Sequence, residues 1–302
     1  MPDAAVATPA VESGIVAIFR NYLALTKPNI IWLLLITTVP AMVVAERGWP
    51  STWLVVATLV GGSLAAGGAN ALNQFAETDI DARMERTRHR PLPSGAVAPR
   101  NAAIFGVLLG VVAAVWLVVL VNTLAAALAI GALAFYAVVY TLYLKRSTVQ
   151  NIVIGGAAGA APPLIGWAAV TGTLEIDSLL LFLVVFYWTP PHFWALALFT
   201  SDDYEAAGVP MLPVVRGVEE TKRQILLYSW LLVTVTIIFG AAADLRAIYV
   251  AVALVGGAAF LWFAFRLRRS EGIDGARALF RYSILYLAVL FGAMAADQLI
   301  LG

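Results

Sequence analysis

The residues best suited to do chemistry lie in one charged stretch between long apolar runs, where Asn73, Glu77 and Asp81 recur at intervals of four. From Ala69 to Arg90 there is no Gly or Pro and helix formers dominate, so the stretch is expected to prolong the preceding apolar helix until Pro91, Pro93 and Gly95 stop it. Residues four apart step roughly 40° round a helix and about 6 Å along it. One amide and two carboxylates then share a polar stripe, with Asp79 pointing elsewhere. Hard oxygen donors at this spacing suit Mg²⁺, which is commonly held by a few carboxylates and the oxygens of a bound phosphate. Arginines suit the phosphate itself. Arg88, about two helical turns beyond Asp81, is expected to reach a diphosphate on the same face. The competing reading is a solvated loop helix whose acids pair with the arginines that follow. Against it stands the position of the stripe, which grows out of an apolar span where carboxylates are costly.

Other candidates are spread along the chain. Tyr140, Lys145 and Arg146 end an apolar run and could face the same anion, or could snorkel to lipid headgroups. Asp202 and Asp203 form a second acidic pair at a helix exit and could join a metal site. His192 follows Pro190 and Pro191 inside an apolar run, where it is either a hydrogen-bonded core histidine or a group that contacts a substrate. Asn151 and Trp188 read equally well as packing residues.

The elements that must position these groups follow from composition. Of 302 residues, 62% are hydrophobic and 12% charged, too apolar for a soluble domain. Continuous Leu/Val/Ala/Ile runs near 20 residues fit membrane helices and lack the alternation of a spanning barrel. The expected fold is all-α and polytopic, with nine spans near 29–46, 52–73, 101–121, 124–143, 149–171, 178–199, 224–242, 247–265 and 280–300 around a central cavity. Residues 1–28 are expected to be a disordered start and an interfacial segment, and 29–302 a single transmembrane domain. All nineteen Lys and Arg residues except Arg47 and Arg246 fall on one side of this topology, which places the N-terminus and the site on the cytoplasmic side. No cleavable signal or transit pattern opens the chain, so a prokaryotic plasma membrane is the expected address. Zero Cys excludes disulfides and thiolate chemistry, and no basic domain suggests nucleic acid.

Three further features bear on the cavity. The run Gly61 to Gly68 is rich in small residues and predicts close helix packing. Pro162–Pro163 and Pro190–Pro191 predict local breaks in the fifth and sixth spans. Finally, the loops after the second and sixth spans share acids, prolines and a Gly, a weak four-helix repeat that would bring two acidic clusters together. Facing acids repel unless a divalent cation resolves them. Two function classes remain open on these grounds: an enzyme that transfers a prenyl group from a diphosphate, and a transporter with broken helices. Metal-dependent turnover without a gradient would separate them.

The Asn73 stretch resembles the first aspartate-rich motif, N-x-x-x-D-x-x-x-D, of the UbiA superfamily of intramembrane prenyltransferases, with Glu77 in place of the middle Asp. Resemblance to a haem-farnesylating branch of that superfamily covers nearly the whole chain. It is carried by Leu25-Thr-Lys27-Pro28, Met84-Glu-Arg86-Thr, Arg90-Pro-Leu, Tyr140-Thr-Leu-Tyr-Leu-Lys145-Arg146, Asn151-Ile-Val-Ile-Gly-Gly, Pro162-Pro-Leu-Ile-Gly-Trp167, Trp188-Thr-Pro-Pro-His192 and Asp203-Tyr. The resemblance implies transfer of farnesyl from farnesyl diphosphate to a vinyl group of haem B, giving haem O, with haem A synthase as a downstream partner. It implies Mg²⁺ on Asn73, Glu77, Asp81 and Asp203 and diphosphate contacts from Lys145, Arg88 and Tyr140; by position, Asp202 is expected to join the metal and Arg146 the diphosphate. Contact between His192 and the haem is a further expectation. Two departures stand out. Tyr140 lies five residues before Lys145 where the superfamily commonly spaces them by four, and the second motif has no D-x-x-x-D. An aromatic prenyltransferase making a quinone precursor is the alternative within enzymes.

Overall fold

The computed structural model describes residues 14–302, apart from the side chains of residues 30 and 32–35. The expected disordered start, residues 1–13, lies outside the described residues. Twelve helices follow: α1 Ile15–Thr26, α2 Pro28–Glu46, α3 Thr52–Ala76, α4 Thr78–Arg83, α5 Pro99–Leu120, α6 Thr123–Ser147, α7 Asn151–Thr171, α8 Ile176–Leu198, α9 Ser201–Ala206, α10 Leu212–Ala242, α11 Ala247–Arg269 and α12 Ala276–Ile300. Among the described residues eight of these, all but α1, α2, α4 and α9, are long and apolar enough to cross a membrane. The first expected span coincides with α2, whose described apolar part is the shorter stretch Ile36–Glu46. The protein is therefore an all-helical polytopic membrane protein.

Neighbour packs on neighbour. The pairs α3–α5, α8–α10, α10–α11 and α11–α12 are in contact, and α12 returns against α2 to close the ring. Small residues let α3 approach α5 closely: a Cβ on Gly68 would lie 2.8 Å from the carbonyl oxygen of Gly106. Outward faces of α5 and α11 expose residues such as Val119 and Val255, as lipid-facing helices do. Within the ring lies a cavity of about 320 Å³ bordered by α2, α3, α6, α7, α8 and α12.

The two double prolines behave differently. In α7 the helix divides at Ala160 and restarts at Ala161, so Pro162 and Pro163 occupy the first turn of the second half, where a missing N–H costs nothing. Contrary to expectation, α8 runs unbroken through Pro190 and Pro191. Trp188 to His192 are all buried, and packing over this length holds the helix where propensity would end it. The tenth helix also begins earlier than the expected span at 224, at Leu212, and turns at Gly217, whose φ of 78° only glycine adopts readily.

Candidate active site

The expected stripe exists, on a shorter support. Helix α3 ends at Ala76, Glu77 occupies a junction with φ −104° and ψ 13°, and α4 follows for six residues. The N–H of Glu77 donates to the Asn73 carbonyl at 2.9 Å and that of Asp81 to the Glu77 carbonyl at 2.8 Å, so the four-residue ladder crosses the junction. Asn73, Glu77 and Asp81 are 1%, 1% and 2% exposed. The helix does not continue to Arg90, however. Met84 is extended, with its side chain in the core, and Thr87 Oγ1 donates to the Asp81 carbonyl at 2.9 Å, which folds the chain back over α4.

That reversal exchanges the two arginines. Arg90, not Arg88, faces the stripe, donating to both carboxylate oxygens of Asp81 at 2.9 and 2.8 Å. Arg88 projects outward with its side chain 66% exposed and pairs with Glu85 at 3.3 Å. Two more bases complete a ladder. Lys145 Nζ lies 2.6 Å from Glu77 Oε2, and Lys27 Nζ donates to Asn73 Oδ1 at 2.9 Å. Lys27 precedes α2 in a left-handed conformation, φ 52°, directly after α1, which is held to α3 by Asn70, donating to the Thr26 carbonyl, and Gln74, donating to that of Leu25. Burial, with the charges of Arg90 and Lys145, pushes the Lys27 ammonium down to about 7 against the opposing pull of Glu77 and Asp81. Buried carboxylates require such partners, and the repulsion expected of these acids is met by the chain's own bases.

Residues 135–144 of α6 form a π-helix. Lys145 N–H donates to the Tyr140 carbonyl, so five residues make one turn between them. The unusual five-residue spacing is thus absorbed: Tyr140 lines the cavity while Lys145 reaches Glu77. Tyr136 stacks on Tyr140 with centroids 5.2 Å apart and also lines the cavity. Asn70, one turn before Asn73, lines it too, so the ladder stands at one end of the apolar chamber. Arg146 takes the outer side, binding both oxygens of Asp79 at 2.7 and 2.9 Å and holding that carboxyl below its usual range.

The second acidic loop repeats the design of the first, a long helix followed by a six-residue helix with two acids in its first turn, here α8 and α9. Asp203 is half-buried; Asp202 is exposed and accepts from Ser201. Burial raises the Tyr204 hydroxyl, which also feels Arg86, Glu77, Asp203 and Arg90, so α9 faces the ladder. Among the described residues no three of His, Asp and Glu are gathered closely enough to hold a metal. The donors of the stripe nonetheless fit a hard divalent cation: Glu77 Oε1 is buried and accepts from nothing among the described residues, on the same stripe as an amide oxygen and a second carboxylate.

His192 lies apart from the chamber lining, its ring stacked between Trp188 at 4.3 Å and Phe280 at 4.7 Å. Ser283 Oγ donates to the Phe280 carbonyl, so the 2.7 Å contact between His192 Nδ1 and Ser283 Oγ is donated by the imidazole. Its Nε2 keeps a lone pair. Asn151 donates to the carbonyls of Thr148 and Pro210, tying α7 to the second acidic loop. Lys27 and Arg90 escaped sequence reasoning, which gave both to topology; the Lys27-Pro28 pair was a signal, since proline sets the start of α2 and the residue before it.

The model of the UbiA prenyltransferase family matches residues 34–290. Protoheme IX farnesyltransferase 1 of Saccharopolyspora erythraea is 52% identical over 296 residues, covering 97% of this chain and 94% of its own. The protoheme IX farnesyltransferase of Symbiobacterium thermophilum is 53% identical over 283 residues, 93% of this chain and 94% of its own. That of Chloroflexus aurantiacus is 50% identical over 288 residues, but the chain spans only 49% of its length. Among solved structures, a digeranylgeranylglyceryl phosphate synthase superposes with a TM-score of 0.78 at 16% identity, covering 93% of this chain and 98% of its own. A UbiA homologue from Archaeoglobus fulgidus bound to GPP and Mg²⁺ superposes with 0.63 at 16% identity over 91% of this chain and 99% of its own. At these identities the structures show the fold alone.

Proposed function

The chain belongs to the UbiA prenyltransferase family, and from that premise we propose that it transfers a farnesyl group from farnesyl diphosphate to a vinyl group of haem B, giving haem O. One observation carries the chemistry: a ladder of three bases and two buried carboxylates stands at the end of an apolar chamber. Relatives of about half identity over nearly the full chain supply the acceptor by their names.

Asn73, Glu77 and Asp81 would hold Mg²⁺, with Asp203 and Asp202 approaching from α9. When bound, the ion supplies charge to the diphosphate oxygens. Lys27, Lys145 and Arg90 neutralise the diphosphate as the allylic C–O bond breaks and its electron pair leaves with the oxygen. Tyr140 borders the same space; Arg88 and Arg146 lie further out, where they would meet an incoming diphosphate rather than the reacting bond. Apolar walls keep water from the allylic cation until the vinyl π pair forms the new C–C bond. Water then captures the resulting cation and releases a proton, leaving the hydroxyl group of haem O. The nucleophile is a neutral alkene, so no strong base is needed. A haem contact from His192, which lies outside the chamber lining, would have to use Nε2, with iron or a propionate as its partner.

A bacterial plasma membrane with the site toward the cytoplasm is supported by the one-sided basic residues, and haem A synthase is the partner that would receive the product. The reading is tested by supplying membranes containing the protein with haem B, farnesyl diphosphate and Mg²⁺ and seeking haem O by mass. Unchanged haem together with prenylated 4-hydroxybenzoate would sink it.

A further inference from the structure

Asn73 can present either end of its amide to the site, and only one end ligates a cation. Its Nδ2 lies 3.0 Å from Thr141 Oγ1 and its Oδ1 lies 2.9 Å from Lys27 Nζ. Each partner acts in one direction. Thr141 is fully buried within the π-helix and its single hydroxyl proton goes to the Tyr136 carbonyl at 2.8 Å, five residues back. Toward Asn73 the hydroxyl oxygen can only accept, and an ammonium can only donate. Turning the amide over would set oxygen against oxygen and NH₂ against NH₃⁺.

The two constraints differ in permanence. Lys27 is also one of the bases an anionic substrate would draw to itself, so its hold on Oδ1 lapses when the site fills. Thr141 is tied to the backbone of its own helix and keeps its hold. We propose that Thr141 is a positioning residue, whose hydroxyl fixes the Asn73 amide with its carbonyl oxygen toward the divalent cation. This rests on the reading that Asn73 helps to hold that cation. The π-helix contributes directly, because the hydroxyl reaches the Tyr136 carbonyl only where that turn is closed over five residues.

Residues behind a metal ligand typically contribute about 10–100-fold to metal affinity. The test uses the purified full chain with inorganic diphosphate and follows Mn²⁺ binding by its paramagnetic resonance. Thr141→Val should raise the Mn²⁺ Kd about tenfold or more, Thr141→Ser should stay within about twofold, and Asn73→Ala should be at least as weak as Thr141→Val. Where the valine variant does not fold, Thr141→Ala carries the same expectation. Normal binding by the valine or alanine variant beside weak binding by Asn73→Ala would overturn the proposal and leave the reading of Asn73 standing. Equal weakness of Thr141→Ser would also overturn it, since the hydroxyl would not be the cause. Normal binding by Asn73→Ala would remove the reading itself and the proposal with it.

Discussion

Lys145 Nζ stands 2.6 Å from one oxygen of Glu77, while the other oxygen of the same carboxylate is buried and has no partner among the described residues. One oxygen serves the chain's own cation and the other is left for a second. Glu77→Gln keeps the shape and removes the charge, and haem O formation should fall by about 10²-fold or more, the scale of losing one electrostatic stabiliser. Glu77→Asp keeps the charge and should remain within about tenfold of the parent, with a higher Mg²⁺ requirement. A glutamine variant as active as the parent would show that the carboxylate does not act as a charge.

The fold-back at Met84 separates two neighbouring arginines by role. Arg90→Ala strips Asp81 of the guanidinium nitrogen that contacts both its oxygens, and turnover should fall by about 10²-fold or more. Arg88→Ala removes an exposed pair with Glu85 and should change turnover by less than about threefold. Initial rates of both variants under saturating haem would decide, and the opposite ranking would mean that the helix continues past Met84 as the local sequence suggests.

Lys27 makes substrate binding sensitive to pH. Burial and the neighbouring bases bring its ammonium down to about 7, so the charged form that attracts diphosphate is lost as pH rises through that value. Affinity for a non-reactive farnesyl diphosphate analogue should therefore weaken from about pH 6 to about pH 8, and Lys27→Arg should flatten that limb. Stability runs the other way. The unfolded chain keeps this proton up to about 10.5 while the folded one releases it near 7, so this residue makes unfolding harder as pH rises between those values. An affinity independent of pH would remove Lys27 from the binding step.

Gly155 has no room for a side chain, because a Cβ there would fall on the ring of Tyr140. Gly155→Ala should cost about 1–3 kcal/mol of stability by overpacking and lower turnover by displacing Tyr140. Adding Tyr140→Leu should recover much of the stability without recovering the rate. Thermal unfolding of the two variants in detergent measures the first effect and product formation the second.

Far from the site, Asp297 on α12 accepts from the backbone N–H groups of Arg246, Ile248 and Tyr249, capping the start of α11 from another helix. Asp297→Ala leaves those donors without a partner in a buried setting and should cost about 1–3 kcal/mol, seen as a lower unfolding midpoint with turnover at 25 °C nearly unchanged. A loss of rate at unchanged stability would contradict a purely structural cap.

What could be read from residue order was what is set by local pattern. Apolar runs near 20 residues marked the eight long membrane helices, and the small residues around Gly68 marked the α3–α5 contact. Asn73, Glu77 and Asp81 could be aligned because four-residue spacing survives the junction at Glu77. The end of that helix could not be read, since nothing between Ala69 and Arg90 breaks a helix; burial of Met84 in the core, which is tertiary, and the Thr87 hydrogen bond to the Asp81 carbonyl end it. The same cause hid Arg90 and Lys27, whose neighbours in sequence say nothing of the carboxylates and amide they reach. Pro190 and Pro191 misled in the other direction, because packing around α8 overrides the loss of two backbone donors.

The pairing of the two buried site carboxylates with basic side chains also bears on how such a chain is made. A carboxylate pair left bare in a medium of low dielectric would oppose insertion until an ion arrived. Here Lys145 and Arg90 travel with the same polypeptide as Glu77 and Asp81, so the bundle can assemble in the bilayer and wait there, closed and electrically settled, before any ion or substrate reaches it.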